Sequence, residues 1–252
     1  MFTDPHLPRH LFGWHSPRLG IDMPIVTYGD RGHPLLLLPT AQADYLENER
    51  FWLVKAIEKH IFAGRVQVFS IDSINKHAWM NRNVPVHEQA RRQALYAGYI
   101  EDEVVPFVRN ACGNPHARLG ISGASFGAFH AANQFFRRPD LFDTLIAMSG
   151  FYDLEPDYTR GFVNDDVYFN NPVSYISNIH DGDSMHLLHH SQIHVVTGQG
   201  AYESPKSSRQ LSEVLAKRGI PHNLDVWGHD VNHDWPWWRK MLDHYVGHRL
   251  GW

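Results

Sequence analysis

A single cysteine, Cys112, is all that this chain of 252 residues contains, so no intrachain disulfide can brace it, and the composition suits a reducing compartment. No apolar run approaches the roughly 20 residues that a membrane-spanning helix needs. The start, "MFTDPHLPRHLFGW", carries charges and prolines where a secretory signal would carry an apolar stretch. These two lacks predict a soluble, cytoplasmic protein with no membrane partner. Charge of one sign is not in excess either: 23 lysines and arginines stand against 27 aspartates and glutamates, a formal net charge of −4. That balance excludes the basic footprint that a nucleic acid or an anionic surface would require. Repeats and low-complexity segments are missing. Histidine is plentiful, at 19 residues, but its spacing matches no short metal motif. The densest group, "HDGDSMHLLHH" with Asp181, Asp183, His186, His189 and His190, reads as a loop entering a helix. No metal and no cofactor are expected.

What the chain does have is a succession of short apolar runs bounded by turn residues. "LLLL" at Leu35 to Leu38 follows "SPRLGIDMPIVTYGDRGHP", itself a strand or hairpin. Further runs are "VQVFSID" (66–72), "ARLGIS" (117–122), "LIAMSG" (145–150), "IHVVTG" (193–198) and "HNLDVW" (222–227). Such runs suit strands buried on both faces. Between them lie helical segments: "ENERFWLVKAIEKHIFAG", stopped at Gly64; "PVHEQARRQALYAGYIEDEVVPFVRN", which Pro106 can bend; Phe126 to Arg137; and "SPKSSRQLSEVLAKRG", opened by Ser-Pro and stopped by Gly219. The alternation predicts an α/β fold with a mostly parallel central sheet, helices on both faces, and one domain over residues 1–252. Residues 152–190 break the pattern. They are aromatic, acidic, rich in turns and too long for an ordinary connection, which predicts a cap-like excursion after the strand that ends near Ser149.

One junction suggests chemistry. In "RLGISGASFGAFHAANQFFRRPD" (118–140), Ser125 stands where an apolar run gives way to a helical pattern, with Gly123 and Gly127 two residues to either side. An exposed nucleophile on a sharp strand-to-helix turn needs such small neighbours, because bulky ones would collide with the strand and helix packed close by. The helix that follows would turn its free N–H groups and positive end toward Ser125. Gly-x-Ser-x-Gly also arises by chance, so the acid and base decide its weight. The order nucleophile, acid, histidine is available: Glu203 lies a few residues past one late strand, and His229 and His233 lie past the next. Spacing alone leaves both histidines open.

These residues resemble the putative esterase family of the α/β-hydrolase superfamily, whose relatives include antigen 85 type mycolyltransferases, feruloyl esterases and S-formylglutathione hydrolases. The similarity runs from "LLLLPT" to "HDWPWWRKML". His233, Trp235 and Trp238 match the family's pattern of histidine, any residue, tryptophan, two residues and an aromatic, which implies His233 as the base. Gly123 to Gly127 match the elbow and imply Ser125 as the nucleophile. Glu203 in "GQGAYE" is the closest positional match to the acid. Asp225 falls inside the last expected strand, and Asp230 and Asp234 fall outside the family order. For the oxyanion hole the resemblance implies the N–H of Phe126 and a second donor in "PTAQAD". There the family often has His-Gly or Asp-Gly and this chain has Pro39 and Thr40, so by position the donor is Ala41. Thr40 and Gln42 border the same place, and Trp235, nearest His233, is a candidate wall of the substrate pocket.

The function so implied is serine carboxylester hydrolysis through a Ser-His-Glu triad and an acyl-enzyme, on a small-molecule ester or thioester. The same groups would serve an acyltransferase or a thioesterase. A noncatalytic binding protein on this fold is the reading from another class, and it would be expected to have lost a member of the triad. The excursion, with Phe162, Tyr168, Phe169 and Tyr175, is expected to cap Ser125 or, alternatively, to complete the core.

Overall fold

The apolar runs become the inner strands of one eight-stranded sheet. The computed structural model describes residues 3–155 and 157–249, the last two as backbone alone, so residues 1, 2, 156 and 250–252 of the expected single domain lie outside the described residues. The strands are β1 (Arg9–His15), β2 (Asp22–Tyr28), β3 (His33–Leu38), β4 (Val66–Ile71), β5 (Leu119–Ala124), β6 (Phe142–Met148), β7 (Gln192–Thr197) and β8 (Asn223–Val226). Their spatial order is β1-β2-β4-β3-β5-β6-β7-β8. Every pairing from β4 to β8 is parallel, while β1 with β2 and β2 with β4 are antiparallel. β4 and β5 are buried along their whole length and β3 nearly so, as a sheet covered on both faces requires. β1 was not expected. Its residues are almost all exposed, so it has no apolar run to read, and its full-length pairing with β2 makes it an edge strand.

The helices are α1 (Glu47–Arg50), α2 (Leu53–Ala56), α3 (Glu58–Phe62), α4 (Val86–Tyr99), α5 (Val105–Ala111), α6 (Phe126–Arg137), α7 (Asp165–Tyr168), α8 (Pro172–Tyr175), α9 (Gly182–His189), α10 (Pro205–Lys217) and α11 (Trp235–His244). The segment expected as one helix before Gly64 is three short ones. Trp52 turns left-handed, at φ 62°, between α1 and α2, and the buried set changes from Glu47 and Asn48 to Leu53, Val54, Ile57 and Ile61. α4 and α5 are joined by a π-helical turn, Ile100–Val104, directly ahead of Pro106. A proline ring in a regular helix clashes with the carbonyl four residues back, and the widened turn relieves that clash.

Two apolar layers cover the sheet. Leu53, Val54, Ile57 and Ile61 join Met241, Leu242 and Tyr245 of α11 against Leu35 and Leu37. On the other face Tyr96, Val108, Ala131, Ala132, Phe135 and Leu211, from α4, α5, α6 and α10, pack against Leu36, Leu38, Ile121 and Leu145. The chain leaving β3 therefore goes to one face and the chain leaving β5, its neighbour, goes to the other. The two loops separate between adjacent strand ends, a switch point that is the ligand position of open α/β sheets. Among the described residues no helix is long and apolar enough to cross a membrane.

The excursion between β6 and β7 carries α7, α8 and α9 as an inserted helical cap region. Buried asparagines fasten it to α6: Asn133 Nδ2 donates to Asn170 Oδ1 at 2.9 Å, and the Tyr175 hydroxyl donates to the Asn133 carbonyl at 3.0 Å. Its aromatics divide. Tyr152, Tyr168 and Tyr175 pack on the main core and Phe169 is exposed, whereas Phe151 and Tyr158 meet the Phe126 ring at the start of α6 and Phe162 joins the same cluster beside His87.

α6 meets the sheet with nothing between. A Cβ at Gly123 would stand 2.4 Å from the carbonyl carbon of Gly127, and one at Gly127 would stand 2.6 Å from the Pro39 oxygen and 2.7 Å from that of Leu38. The obstacles are backbone, which cannot swing aside. Gly123→Ala and Gly127→Ala are each expected to cost about 3 kcal/mol or more, the upper end of overpacking penalties, read as a fall in urea midpoint. Wild-type midpoints would contradict the direct contact.

Candidate active site

β5 ends at Ala124, and Ser125 makes the turn into α6 with φ 56° and ψ −119°. A serine held there carries strain of about 1–3 kcal/mol. Its N–H donates to the Met148 carbonyl at 2.9 Å, which ties the turn to the end of β6. Phe126 is the first residue of α6. Its N–H has no acceptor within the helix by position, and the positive end of the helix lies there.

The loop after β3 lies beside this turn, since Gly127 abuts Leu38 and Pro39. It is shaped by side chains rather than by a glycine. Thr40 donates both its N–H and its hydroxyl to Glu47, at 2.7 and 2.8 Å, so these donors are engaged. The Ala41 carbonyl accepts from Ser73 Oγ at 2.9 Å and Asn75 Nδ2 at 2.7 Å. Ala41 itself packs in the cluster that holds Phe126, Phe151, Tyr158 and Phe162. The fold thus places Ala41 and Phe126 in one apolar cluster. Gln42 is exposed.

Across the sheet the loops after β7 and β8 are laced together. Gly200 N–H donates to the Val231 carbonyl at 2.8 Å and His233 N–H to the Ala201 carbonyl at 2.9 Å. Ala201 N–H donates to Asn232 Oδ1 at 2.8 Å. This lacing sets His233 Nδ1 3.8 Å from Glu203 Oε2, with the Glu203 side chain wholly buried. At that separation the contact is Coulombic, longer than a hydrogen bond. The hydrogen bonds to the carboxylate come from Ser149 Oγ, 2.6 Å from Oε1, and Thr197 Oγ1, 3.0 Å from Oε2. Burial pushes the Glu203 carboxyl up, but His233, Ser149 and Thr197 together outweigh it and hold the group below the usual glutamate range. Trp238 completes the arrangement. Its Nε1 donates to Ser149 Oγ at 3.1 Å, and its ring meets that of His233 edge to face at 4.9 Å.

The other acids and the other histidine are elsewhere. His229 is exposed. Asp225 accepts from the Tyr245 hydroxyl at 3.1 Å, and Asp234 caps α11 through the Trp235 N–H at 2.7 Å. The Asp230 side chain lies against Gly228. Trp235 stacks on Phe51 at 4.6 Å and meets Trp238 edge-on at 5.1 Å, so it is Trp238 that touches His233. Asp181 caps α9 by accepting from Ser184 N–H at 2.7 Å, and among the described residues no group of acids, histidines and cysteines could hold a metal ion. Sequence reasoning missed Ser149 and Thr197. Both are hydroxyls at the ends of β6 and β7, a signal that becomes legible only once those strands are known to be neighbours.

The chain matches the family described as Putative esterase over residues 53–248. Among curated proteins, none matches the sequence. Solved structures share the fold over nearly the whole length at low identity. One is a ferulic acid esterase, with 18% identity, TM-score 0.73, and 95% of this chain and 96% of that one covered. FphF, a fluorophosphonate-binding serine hydrolase of Staphylococcus aureus, is 14% identical with TM-score 0.69 and coverage of 95% and 97%. An S-formylglutathione hydrolase of Agrobacterium tumefaciens is 14% identical with TM-score 0.71 and coverage of 97% and 95%.

Because the folded-state pKa of Glu203 is depressed, its ionisation stabilises the fold above the unfolded glutamate pKa, about 4.3, and that contribution is lost as pH falls through the lower folded value. Stability measured by urea unfolding should therefore exceed that of E203Q by a margin that shrinks as pH is lowered from neutrality below this range. A margin that is constant with pH would contradict the depressed carboxyl.

Proposed function

Because this chain belongs to the putative esterase family of the α/β-hydrolase superfamily, we propose that it is a serine carboxylester hydrolase acting on a small-molecule ester or thioester, with Ser125, His233 and Glu203 as its triad. The observation that carries this reading is the pairing of two features at one end of the sheet. One is a serine in a strained turn at the head of a helix, and the other is a buried carboxylate 3.8 Å from a histidine on the loop after the last strand.

In the reaction His233 takes the Ser125 hydroxyl proton as the oxygen attacks the acyl carbonyl. The imidazolium then attracts the Glu203 carboxylate more strongly than the neutral ring does, and the pair closes to the roughly 2.7–2.9 Å of a charge-assisted bond. His233, Ser149 and Thr197 together keep the carboxylate ionised in spite of its burial, so it is ready to stabilise the charged ring. The tetrahedral oxyanion is received by the N–H groups of Phe126 and Ala41. Collapse expels the alcohol or thiol with the proton from His233, and water repeats the sequence on the acyl-enzyme. The substrate approaches through the crevice between the ends of β3 and β5. There Thr40 and Gln42 belong to the loop after β3, Phe151, Tyr158 and Phe162 supply apolar surface from the cluster of Phe126, and Trp235 backs Trp238, which meets His233.

S125A should abolish labelling by a fluorophosphonate probe together with ester turnover. E203Q should fold and lose about 10³- to 10⁴-fold in kcat, and H229A should retain activity. Labelling that survives S125A, or a loss in H229A matching that of H233A, would overturn the assignment. Phe162→Ala should alter the ratio of kcat/KM between bulky and short esters, and an unaltered ratio with a lowered Tm would give Phe162 a packing role only.

A further inference from the structure

His130 takes no part in the reaction just described, yet it is buried at the centre of a polar chain that ends at the oxyanion loop. It lies four residues after Phe126 on α6, one turn along the same face, and the two rings stack at 5.3 Å and 28°. Its Nδ1 accepts from Gln93 Nε2 of α4 at 3.3 Å, and its Nε2 faces Asn75 Oδ1 at 3.0 Å. An amide nitrogen can only donate and an amide oxygen can only accept. The ring is therefore the Nε2–H tautomer, donating to Asn75. That bond fixes which way the Asn75 amide faces, and its Nδ2 then donates to the Ala41 carbonyl at 2.7 Å. Ser73 closes the network, accepting from Asn75 N–H at 3.1 Å and donating to the same carbonyl at 2.9 Å. Every donor in the chain points one way, from α4 through α6 to the loop.

We propose that His130 is a positioning residue that sets both N–H donors of the oxyanion hole, Phe126 through ring stacking and Ala41 through the Asn75 amide. The inference rests on the assignment of Phe126 and Ala41 as those donors. It answers the absence of glycine in "PTAQ": a loop without a permissive residue is held in shape by hydrogen bonds to its carbonyl. Burial pushes His130 down to about 3, so the ring stays neutral and keeps its single N–H directed at Asn75 across the range in which an esterase works. A protonated ring would have to turn a second donor toward Gln93 Nε2, which is itself a donor.

The test is steady-state hydrolysis of p-nitrophenyl acetate by wild type, S125A, His130→Phe, His130→Gln and Asn75→Ala, with Tm measured on each. H130F keeps an aromatic ring against Phe126 but loses the bond to Asn75, whereas H130Q keeps a donor at the Nε2 position. Misplacing one oxyanion donor should lower kcat in H130F by about 10- to 100-fold with KM little changed, and H130Q should recover most of it. N75A, which leaves the histidine in place, carries the same expectation as H130F and serves if H130F does not fold. Wild-type kcat in a folded H130F or N75A would overturn the inference while Ser125-dependent turnover stands. Equal loss in H130F and H130Q that follows Tm would also overturn it, leaving His130 a packing residue. Wild-type turnover that S125A does not remove would instead overturn the reading of the site itself, and this inference with it.

Discussion

The contact of α6 with the ends of β3 and β5 is the constraint on which the rest of the site depends. With no Cβ at Gly123 or Gly127, strand and helix meet backbone to backbone, and the chain has one residue in which to turn between them. Ser125 is that residue, and its left-handed backbone follows from the approach. The same contact brings the loop after β3 beside the start of α6, where Ala41 packs against the cluster that holds Phe126. Geometry that would be costly in an isolated turn is held here by the layers on both faces of the sheet, which bury Leu35 to Leu38 and Ile121 completely or nearly so.

A second constraint is electrostatic. Glu203 is buried, and an isolated buried carboxylate would take up a proton rather than remain charged. His233 and the hydroxyls from the ends of β6 and β7, one on each oxygen, prevent this together. Ser149 also accepts from Trp238, whose ring borders His233, so Glu203, Trp238 and the end of β6 are coupled through one serine, itself in the left-handed region at φ 52°. The two halves of the site are built alike. Neither the loop after β3 nor Glu203 relies on backbone alone, and each is held by side chains with defined hydrogen-bond directions.

Much of this was legible in the sequence because it lies in local pattern. Continuous apolar runs gave the inner strands, and glycines two residues to either side of Ser125 gave the turn. The order serine, glutamate, histidine follows from chain direction. What stayed hidden depends on which strands are neighbours. Ser149 and Thr197 reach Glu203 only because β6 and β7 lie side by side, and Asn75 reaches Ala41 only because β3 and β4 do. β1 left no trace because an exposed edge strand has no apolar run, and the break at Trp52 is set by tertiary packing against α11. The cap aromatics were readable as a group, but their division between core and crevice was not.

If Ser125 is the nucleophile it becomes acylated, and intact-mass spectrometry during turnover of a slowly deacylated activated ester detects the adduct. A stoichiometric mass increase equal to one acyl group is expected, placed on Ser125 by peptide mapping and decaying as product forms. Turnover with no covalent adduct, or an adduct carried by another residue, would contradict it.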